Sequence, residues 1–332
     1  MHIAVIGAGI NGISVAVNLL ETLPGVKVTI FTHNVTPNTT GDVAAGLFRP
    51  YLVAEGDHRI KKWCRSTYNF LENFIATNPK HHKYGCCYLE VFELDTEPLE
   101  KTLFNEIVGN SRFLNEFELK RYPTAKYGLA STSIISEGKK ILPYFYEKFK
   151  MLGGKIKVMQ VKNFDEVQMI HNFPIVINCS GLGSRSLCND MDIYPVRGQI
   201  IRIHAPWIKY SFNKAEHYII PQSDGVVVLG GTTQENNWNT LPDENDTKNI
   251  LNGCKTILNG LEECNILSVN VGLRPGRKSV RLEKENRTNF TTGNKYTIIH
   301  NYGHGGSGFT LFWGCAKDVG QLVSDILLKA KL

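Results

Sequence analysis

The sequence predicts an α/β protein of two domains, one built on a doubly wound parallel sheet and the other, of α+β type, on an antiparallel sheet. Three observations predict this fold class. The chain has 332 residues, enough for two domains of about 100–200 residues each. Residues 2–31 read as strand, glycine turn, helix and strand, which is how a doubly wound sheet begins. From Val196 to Leu229, alternating apolar residues indicate antiparallel strands.

The amino-terminal segment predicts a strand–helix–strand unit. An apolar run over His2–Ile6 predicts the first strand, and a second apolar run over Val26–Phe31 predicts the other. Between them, apolar residues recur at helical spacing after the glycine turn. These helix positions are Ile10, Ile13, Val17 and Leu20.

The remaining elements define the domain boundaries. Helices are predicted at His58–Asn78, with Trp63, Phe70 and Phe74 inward, at Leu142–Leu152 and at Asp246–Leu258. Strands are predicted at Tyr88–Leu94, Thr132–Ile135, Lys155–Gln160, Ile175–Cys179 and Tyr296–His300, the last meeting a glycine-rich turn and a final helix. We therefore expect a discontinuous nucleotide-binding domain of residues 1–57, 140–190 and 290–332. The ligand-covering domain comprises residues 58–139 and 191–289.

Composition excludes several classes of protein. Hydrophobic residues make up 42% and charged residues 20%, which is ordinary for a globular chain and excludes disorder, collagen and a coiled coil. No apolar run approaches the ~18 residues of a membrane span. The 37 basic residues are scattered, so the net charge of +6 fits anionic small ligands at least as well as nucleic acid. The cysteine spacing includes no Cys-x-x-Cys, and we predict no metal site.

The first motif is Gly7-Ala8-Gly9-Ile10-Asn11-Gly12, which follows a strand and opens a helix. Gly7 permits a tight turn, Gly9 allows close approach of a pyrophosphate, and Gly12 lets the helix pack on the strand. The acidic residue that would bind a ribose hydroxyl is expected about 20 residues further on. That region, Phe31–Asn34, contains none, so the motif leaves NAD and FAD open.

Two further segments have small residues where a flat ligand could approach the backbone. Thr36–Tyr51 is a polar turn followed by small residues, and Arg49 and Tyr51 point into a site or lie in solvent. Asn301–Thr310 is a second glycine-rich helix start, which favours an anion or the negative charge of a reduced flavin. His304, beside glycines, is interpreted as structural rather than as an acid–base catalyst.

Together these motifs resemble the D-amino-acid oxidase and D-aspartate oxidase family over almost the whole chain. The resemblance rests on the glycine motif, Asp42–Gly46, Arg197-Gly198-Gln199, Ala205-Pro206-Trp207, Leu273–Glu283 and Asn301–Gly306, in this order. It implies FAD, bound by a Rossmann-like domain, and oxidative deamination of a D-amino acid by molecular oxygen. It also implies cofactor-binding positions at Gly7, Ala8, Gly9, Ile10, Asn11, Gly12, Thr39, Thr40, Ala45, Gly46, Leu47, Ser180, Gly305, Gly306, Gly308 and Thr310.

The same resemblance implies how the amino acid is held. It assigns the α-carboxylate to Arg277, since Arg pairs with a carboxylate through two parallel hydrogen bonds, and leaves Arg274 and Arg281 structural. It assigns a second carboxylate contact to the Tyr218 hydroxyl and the substrate amine to the backbone carbonyl of Gly306. Without the resemblance, the simpler interpretation would be that Arg277 is a surface residue and Tyr218 a core residue.

The identity of the substrate side chain is less directly implied. Lys214 replaces a lid tyrosine of the D-amino-acid oxidases, and Thr233 replaces a side-chain Arg of the D-aspartate oxidases. Residues 178–185 and 194–199 nevertheless resemble the D-aspartate branch. A second carboxylate needs a second cation, and Arg49 is preferred to Lys214 for that role. We therefore expect D-aspartate and D-glutamate as substrates.

Three alternatives stay open. The first is an oxidase of neutral D-amino acids, with Tyr51 and Tyr218 lining an apolar pocket and Arg49 pointing away. The second is a flavin-binding module that has lost activity, and the third is an amine oxidase of related topology.

The final tripeptide, Ala330-Lys331-Leu332, differs by one residue from the peroxisomal Ser-Lys-Leu address. It predicts a peroxisomal location and an import receptor as partner, in agreement with a peroxide-producing flavoenzyme. The alternative is a helix that simply ends in these residues.

Overall fold

The computed structural model describes residues 1–53, 56–261 and 263–329. The strands are β1 (His2–Ile6), β2 (Lys27–Thr32), β3 (Cys86–Asp95), β4 (Arg112–Phe113), β5 (Tyr127–Ser136), β6 (Lys155–Val158), β7 (Ile175–Asn178), β8 (Tyr194–His204), β9 (Ser211–Lys214), β10 (His217–Pro221), β11 (Val226–Gly230), β12 (Gln234–Glu235), β13 (Ile266–Gly276), β14 (Arg281–Thr288) and β15 (Lys295–Tyr302). The helices are α1 (Ile10–Thr22), α2 (Thr40–Val43), α3 (Arg59–Thr77), α4 (Leu103–Val108), α5 (Glu116–Leu119), α6 (Gly138–Met151), α7 (Phe164–Ile170), α8 (Ser184–Leu187), α9 (Glu244–Lys255) and α10 (Gly308–Lys329).

The first sheet has six strands in the order β14-β15-β7-β1-β2-β6, and all except the edge strand β14 run parallel. Helices cover both faces, so β1 and β7 are buried and apolar except for His2 and Asn178 at their ends, as expected for buried parallel strands. One face packs on α1, α3, α6 and α10, with Ile13, Trp63, Phe145 and Phe312 in the core. The other face packs on α7.

The second sheet has nine strands in the order β12-β8-β11-β10-β9-β3-β5-β4, with β13 paired to β8. Its neighbours are antiparallel except for β3 and β9. That pair can be parallel because a long crossover connects the two strands along the chain. Phe92, Ile201, Phe212 and Leu229 form the centre of its own hydrophobic core, which α9 helps to cover.

The α/β fold class is confirmed, and every helix and strand predicted from the sequence is present with its ends shifted by a few residues. Two elements cross the predicted domain boundaries. β14, expected in the ligand-covering domain, forms a hairpin with β15 and so extends the six-stranded sheet. α3 was also expected in the ligand-covering domain, but it packs on α10. The contact requires glycine at position 314, because a Cβ there would lie 2.4 Å from the Trp63 backbone.

Within residues 1–53, 56–261 and 263–329, no helix combines the length and the hydropathy needed to cross a bilayer.

Candidate active site

A cavity of about 810 Å³ opens between residues of both sheets. The six-stranded sheet contributes the β1–α1 turn and the end of β2, and the nine-stranded sheet contributes residues of β8, β10 and β13. The carboxyl ends of parallel strands, where this cavity lies, are the usual ligand-binding edge of a doubly wound sheet.

The β1–α1 turn forms one end of the cavity. Gly7 has φ +99°, and a Cβ there would lie 2.4 Å from the Cys179 carbonyl oxygen, so only glycine fits. A Cβ at Gly9 would meet nothing within 4 Å, since this glycine opens on the cavity. Asn11 Oδ1 is buried and has no hydrogen-bond partner among the described residues. The turn is thus a cradle of the shape and polarity that a dinucleotide pyrophosphate needs.

The segment around α2 forms a second wall. Thr39 and Asp42 cap this short helix, with Thr39 Oγ1 donating to Asp42 Oδ2 over 2.7 Å. Gly46 has φ +86°, and a Cβ there would lie 2.2 Å from the Ser136 carbonyl oxygen. This close packing turns the small residues of the segment toward the cavity.

The start of α10 forms a third wall and holds the Arg49–Tyr51 segment in place. Thr310 Oγ1 donates to the Arg49 carbonyl over 2.8 Å, and Ser307 Oγ donates to the Tyr51 carbonyl over 2.8 Å. His304 is buried against the cavity, and its Nε2 has no partner within the described chain. Burial lowers the pKa of His304 to about 3, so the ring is neutral near pH 7.

The structure brings nearly all predicted cofactor-binding positions to this cavity. Gly12 is the exception: a Cβ there would lie 2.0 Å from the Gly7 carbonyl oxygen, so this glycine allows the turn and helix to pack together. The predicted positions that line the cavity are Gly7, Ala8, Gly9, Ile10, Asn11, Thr39, Thr40, Ala45, Gly46, Leu47, Ser180, Gly305, Gly306, Gly308 and Thr310.

Arg277 does not lie at the cavity lining of the described residues, which corrects its predicted role. Its Nε donates to Asp190 Oδ2 over 3.1 Å, and its Nη1 donates to the Ser279 carbonyl over 2.9 Å. Burial by itself would raise the pKa of Asp190, but the hydrogen bond from Tyr302 and the charge of Arg277 lower it. Arg277 therefore belongs to a structural ion pair.

Arg274 occupies the place expected of Arg277. It lies in β13 and lines the cavity, where its Nη1 donates to the Thr232 carbonyl over 3.0 Å. The two arginines are three positions apart in the chain. Arg274 lies within β13, whereas Arg277 follows the last residue of that strand and turns toward Asp190. Gly198 leaves the necessary room, since a Cβ there would lie 2.3 Å from Arg274 Nη1.

Tyr218 and Gly306 line the same cavity as Arg274. Burial raises the pKa of Tyr218, and the neighbouring charge of Arg274 opposes that shift, so the hydroxyl keeps its proton near pH 7. Gly306 faces Tyr51, whose hydroxyl is 2.7 Å from Thr233 Oγ1. A cation, a neutral phenol and a backbone segment thus surround one space.

Glu93 lines the cavity although no sequence motif predicts it there. Its Oε2 accepts a hydrogen bond from Arg49 Nη2 over 2.7 Å, and both side chains line the cavity. Lys214, the alternative cation, is not among the described residues that line it. The alternation of β3 places Glu93 on the cavity side, but an acidic residue within a predicted strand gave no signal of this contact.

Comparison with known proteins agrees with this site. Residues 2–322 match the family model described as "FAD dependent oxidoreductase". Human D-aspartate oxidase is 36% identical over 98% of this chain and 95% of its own length. D-amino-acid oxidase of Dictyostelium discoideum is 34% identical over 99% and 93%, and D-aspartate oxidase 1 of Caenorhabditis elegans is 32% identical over 99% of both chains.

The solved structure of glycine oxidase from Geobacillus kaustophilus shares the fold, with a TM-score of 0.80 at 16% identity, covering 97% of this chain and 94% of that one. The matched family model identifies the cofactor as FAD, and the glycine cradle fits the pyrophosphate of that dinucleotide. This chain belongs to the FAD-dependent oxidoreductase family that includes the D-aspartate and D-amino-acid oxidases.

Proposed function

We propose that the protein oxidatively deaminates D-amino acids, with D-aspartate and D-glutamate as its preferred substrates. The products are a 2-oxo acid, ammonia and hydrogen peroxide. The observation that carries the proposal is the meeting of Arg274, Tyr218 and Gly306 in the cavity that also contains the dinucleotide cradle. The names of the human and Caenorhabditis elegans relatives support an acidic substrate.

The residues of this chain bind and orient the amino acid. FAD, when bound, supplies the hydride acceptor, which molecular oxygen then regenerates. Arg274 pairs with the α-carboxylate, for which its planar guanidinium offers two parallel donors. The Tyr218 hydroxyl donates to the same carboxylate, and the Gly306 carbonyl accepts from the substrate amine. Fixing these three points fixes the direction of the Cα–H bond, and such orientation contributes much of the rate.

Arg49 is the cation proposed to meet the second carboxylate of an acidic substrate. The chain segment that bears it is attached to the start of α10 through Thr310, so its position is defined by the same helix as the cofactor site. Oxidation of neutral D-amino acids is the second candidate function. The ion pair between Arg49 and Glu93 favours this second function, because a guanidinium already paired with a carboxylate attracts a substrate anion less strongly.

Hydrogen peroxide formation by the FAD-supplemented protein tests the proposal. We expect peroxide from D-aspartate at a higher kcat/KM than from D-alanine, and none from L-aspartate. A preference for D-alanine would favour the second candidate. FAD binding without peroxide from either D-amino acid would contradict both and indicate a module that has lost activity.

We propose further that the protein is imported into peroxisomes through a receptor for Ala330-Lys331-Leu332. These residues lie outside the described part of the chain. The proposal is supported by the resemblance to the Ser-Lys-Leu address and by the need to contain hydrogen peroxide. A fluorescent protein ending in this tripeptide should accumulate in peroxisomes, and one ending in Ala-Lys-Ser should not. Equal diffuse fluorescence of the two would contradict it.

A further inference from the structure

We propose that Glu93 determines how strongly the cavity selects acidic substrates, because it competes with the substrate side chain for Arg49. The inference rests on the proposed function and concerns the side-chain end of the same cavity. It makes Glu93 a specificity-determining residue rather than a part of the fold alone.

The contact between the two residues is short and sheltered. Arg49 Nη2 lies 2.7 Å from Glu93 Oε2, and the two side chains are 30% and 10% exposed, respectively. The other carboxylate oxygen, Glu93 Oε1, is buried and has no hydrogen-bond partner in the described part of the chain. Since both residues line the cavity, this oxygen is an unused acceptor at a ligand-binding surface.

A second unused polar atom belongs to the residue paired with Glu93 on the neighbouring strand. Glu93 on β3 is paired with Asn213 on β9, and Asn213 is paired with Tyr218 on β10. Directly paired residues have side chains on the same face of a sheet, and all three line the cavity. Asn213 Nδ2 is buried and, within the described residues, unpartnered. The sheet therefore presents a carboxylate acceptor and an amide donor next to the tyrosine that holds the amino acid.

The charge of this subsite follows from the ion pair. Arg49 and Glu93 together carry no net charge, so a substrate carboxylate gains little until Glu93 is displaced. Displacement leaves the Glu93 carboxylate without its counter-charge in a sheltered place, which opposes binding. A neutral side chain that both donates and accepts hydrogen bonds meets no such competition. Glu93 thus limits the acidic preference that Arg49 by itself would impose.

Glu93→Gln in the FAD-loaded enzyme tests the inference. The amide keeps the shape and removes the charge, so Arg49 is left to pair with the substrate. We expect the ratio of kcat/KM for D-aspartate to that for D-alanine to rise by about tenfold or more. Glu90→Gln is the matched control, because Glu90 lies on the same strand with its side chain on the opposite face. An unchanged or lower ratio in Glu93→Gln would overturn the inference.

A double variant separates charge from shape. The double variant Arg49→Gln/Glu93→Gln has no guanidinium at position 49 to be freed by the loss of Glu93. Its ratio of kcat/KM for D-aspartate to that for D-alanine should therefore equal the ratio of the single variant Arg49→Gln. If Glu93→Gln raised this ratio equally in the wild type and in Arg49→Gln, Glu93 would act independently of Arg49, and the mechanism would be contradicted.

Ligand binding provides a readout apart from turnover. Succinate and propionate differ by one carboxylate, and their dissociation constants can be measured from perturbation of the flavin absorbance. Glu93→Gln should strengthen succinate binding relative to propionate, and an equal effect on both would overturn the inference. A wild-type enzyme that oxidises no D-amino acid would refute the proposed function, whereas this comparison would still decide the role of Glu93.

If Glu93→Gln does not retain FAD, the variant Arg49→Gln provides an alternative test of the role of Glu93. That variant leaves the Glu93 carboxylate unpaired at the subsite, so oxidation of D-lysine should increase relative to D-alanine. No increase would show that Glu93 does not reach the substrate side chain.

Discussion

At the scale of single residues, two arginines three positions apart have different surroundings. Arg274 lies on a strand with its guanidinium at the cavity, 5.7 Å from the centre of the Tyr51 ring. Arg277 follows the end of that strand and is bound by Asp190. The motif Leu273–Arg281 contains both, and only the direction of each side chain distinguishes the cation proposed to bind substrate from the one held in an ion pair.

Arg274→Ala should lower kcat/KM for D-aspartate and D-alanine alike, by about 2–5 kcal/mol of transition-state binding, because both share the α-carboxylate. Arg277→Ala is the matched control. It should lower the free energy of unfolding by about 2 kcal/mol, since Asp190 loses a hydrogen-bonded partner. Steady-state kinetics and urea unfolding measure the two effects. Loss of activity in Arg277→Ala at unchanged stability would restore the original assignment.

His304 should make the protein less stable in mild acid. Burial lowers its pKa to about 3, whereas an unfolded histidine has a pKa of about 6.5. Between these values the unfolded chain binds more protons, so the free energy of unfolding decreases as the pH decreases. From about pH 7 to about pH 5 this residue should account for about 2 kcal/mol.

Urea unfolding of the wild type and of His304→Gln at both pH values measures this contribution. The variant cannot take up the proton, so its stability should decrease less than that of the wild type. Equal decreases in the two proteins would mean that His304 is not neutral and buried as described.

At the scale of elements, the β1–α1 turn shows how three glycines take on separate tasks. Gly7 permits the left-handed backbone, Gly12 permits close packing of the helix, and Gly9 opens on the cavity. The first two are needed for the fold itself. Gly9 is needed only where a ligand approaches.

Gly9→Ala should therefore fold normally and bind FAD more weakly, by about tenfold or more, which corresponds to about 1.4 kcal/mol. The added methyl group meets no protein atom within 4 Å but projects into the cavity. Gly260→Ala is a control at a glycine whose Cβ would likewise meet nothing. Thermal unfolding of the apoprotein and flavin fluorescence titration test the two halves of the prediction, and an unchanged FAD affinity would contradict it.

At the scale of the whole molecule, the cavity is lined by residues of two sheets that have separate hydrophobic cores. A ligand in this cavity contacts residues of both. Binding energy gained there stabilises the folded arrangement of both sheets, because the unfolded chain offers no such site.

FAD at about 100 times its dissociation constant should stabilise the apoprotein by about 2.7 kcal/mol and raise Tm by about 4 °C. Riboflavin should raise Tm less at equal concentration, because it lacks the pyrophosphate that the Gly7–Gly12 turn is built to accept. Differential scanning fluorimetry compares the two. Equal shifts would mean that the turn contributes nothing to cofactor binding.

The amino-acid sequence by itself determined the fold class, the order of the elements and the glycine cradle. These features depend on local periodicity and on backbone conformations that only glycine adopts, and Gly7 has the positive φ that its predicted tight turn requires. The positions that the motifs predict for FAD, except Gly12, line the cavity, because they lie in short continuous segments beside the strand ends.

Only the tertiary structure decided which side chains meet in the cavity. Arg274 lines the cavity because its strand, β13, pairs with β8, whereas Arg277 follows the end of β13 and is bound by Asp190. Glu93 came to lie against Arg49 because the segment just before Arg49 forms a bridge with β5, which is the neighbour of β3 in the nine-stranded sheet. β14 joined the first sheet through its hairpin with β15, against the predicted boundary. Such contacts depend on long-range pairing, which local periodicity does not encode.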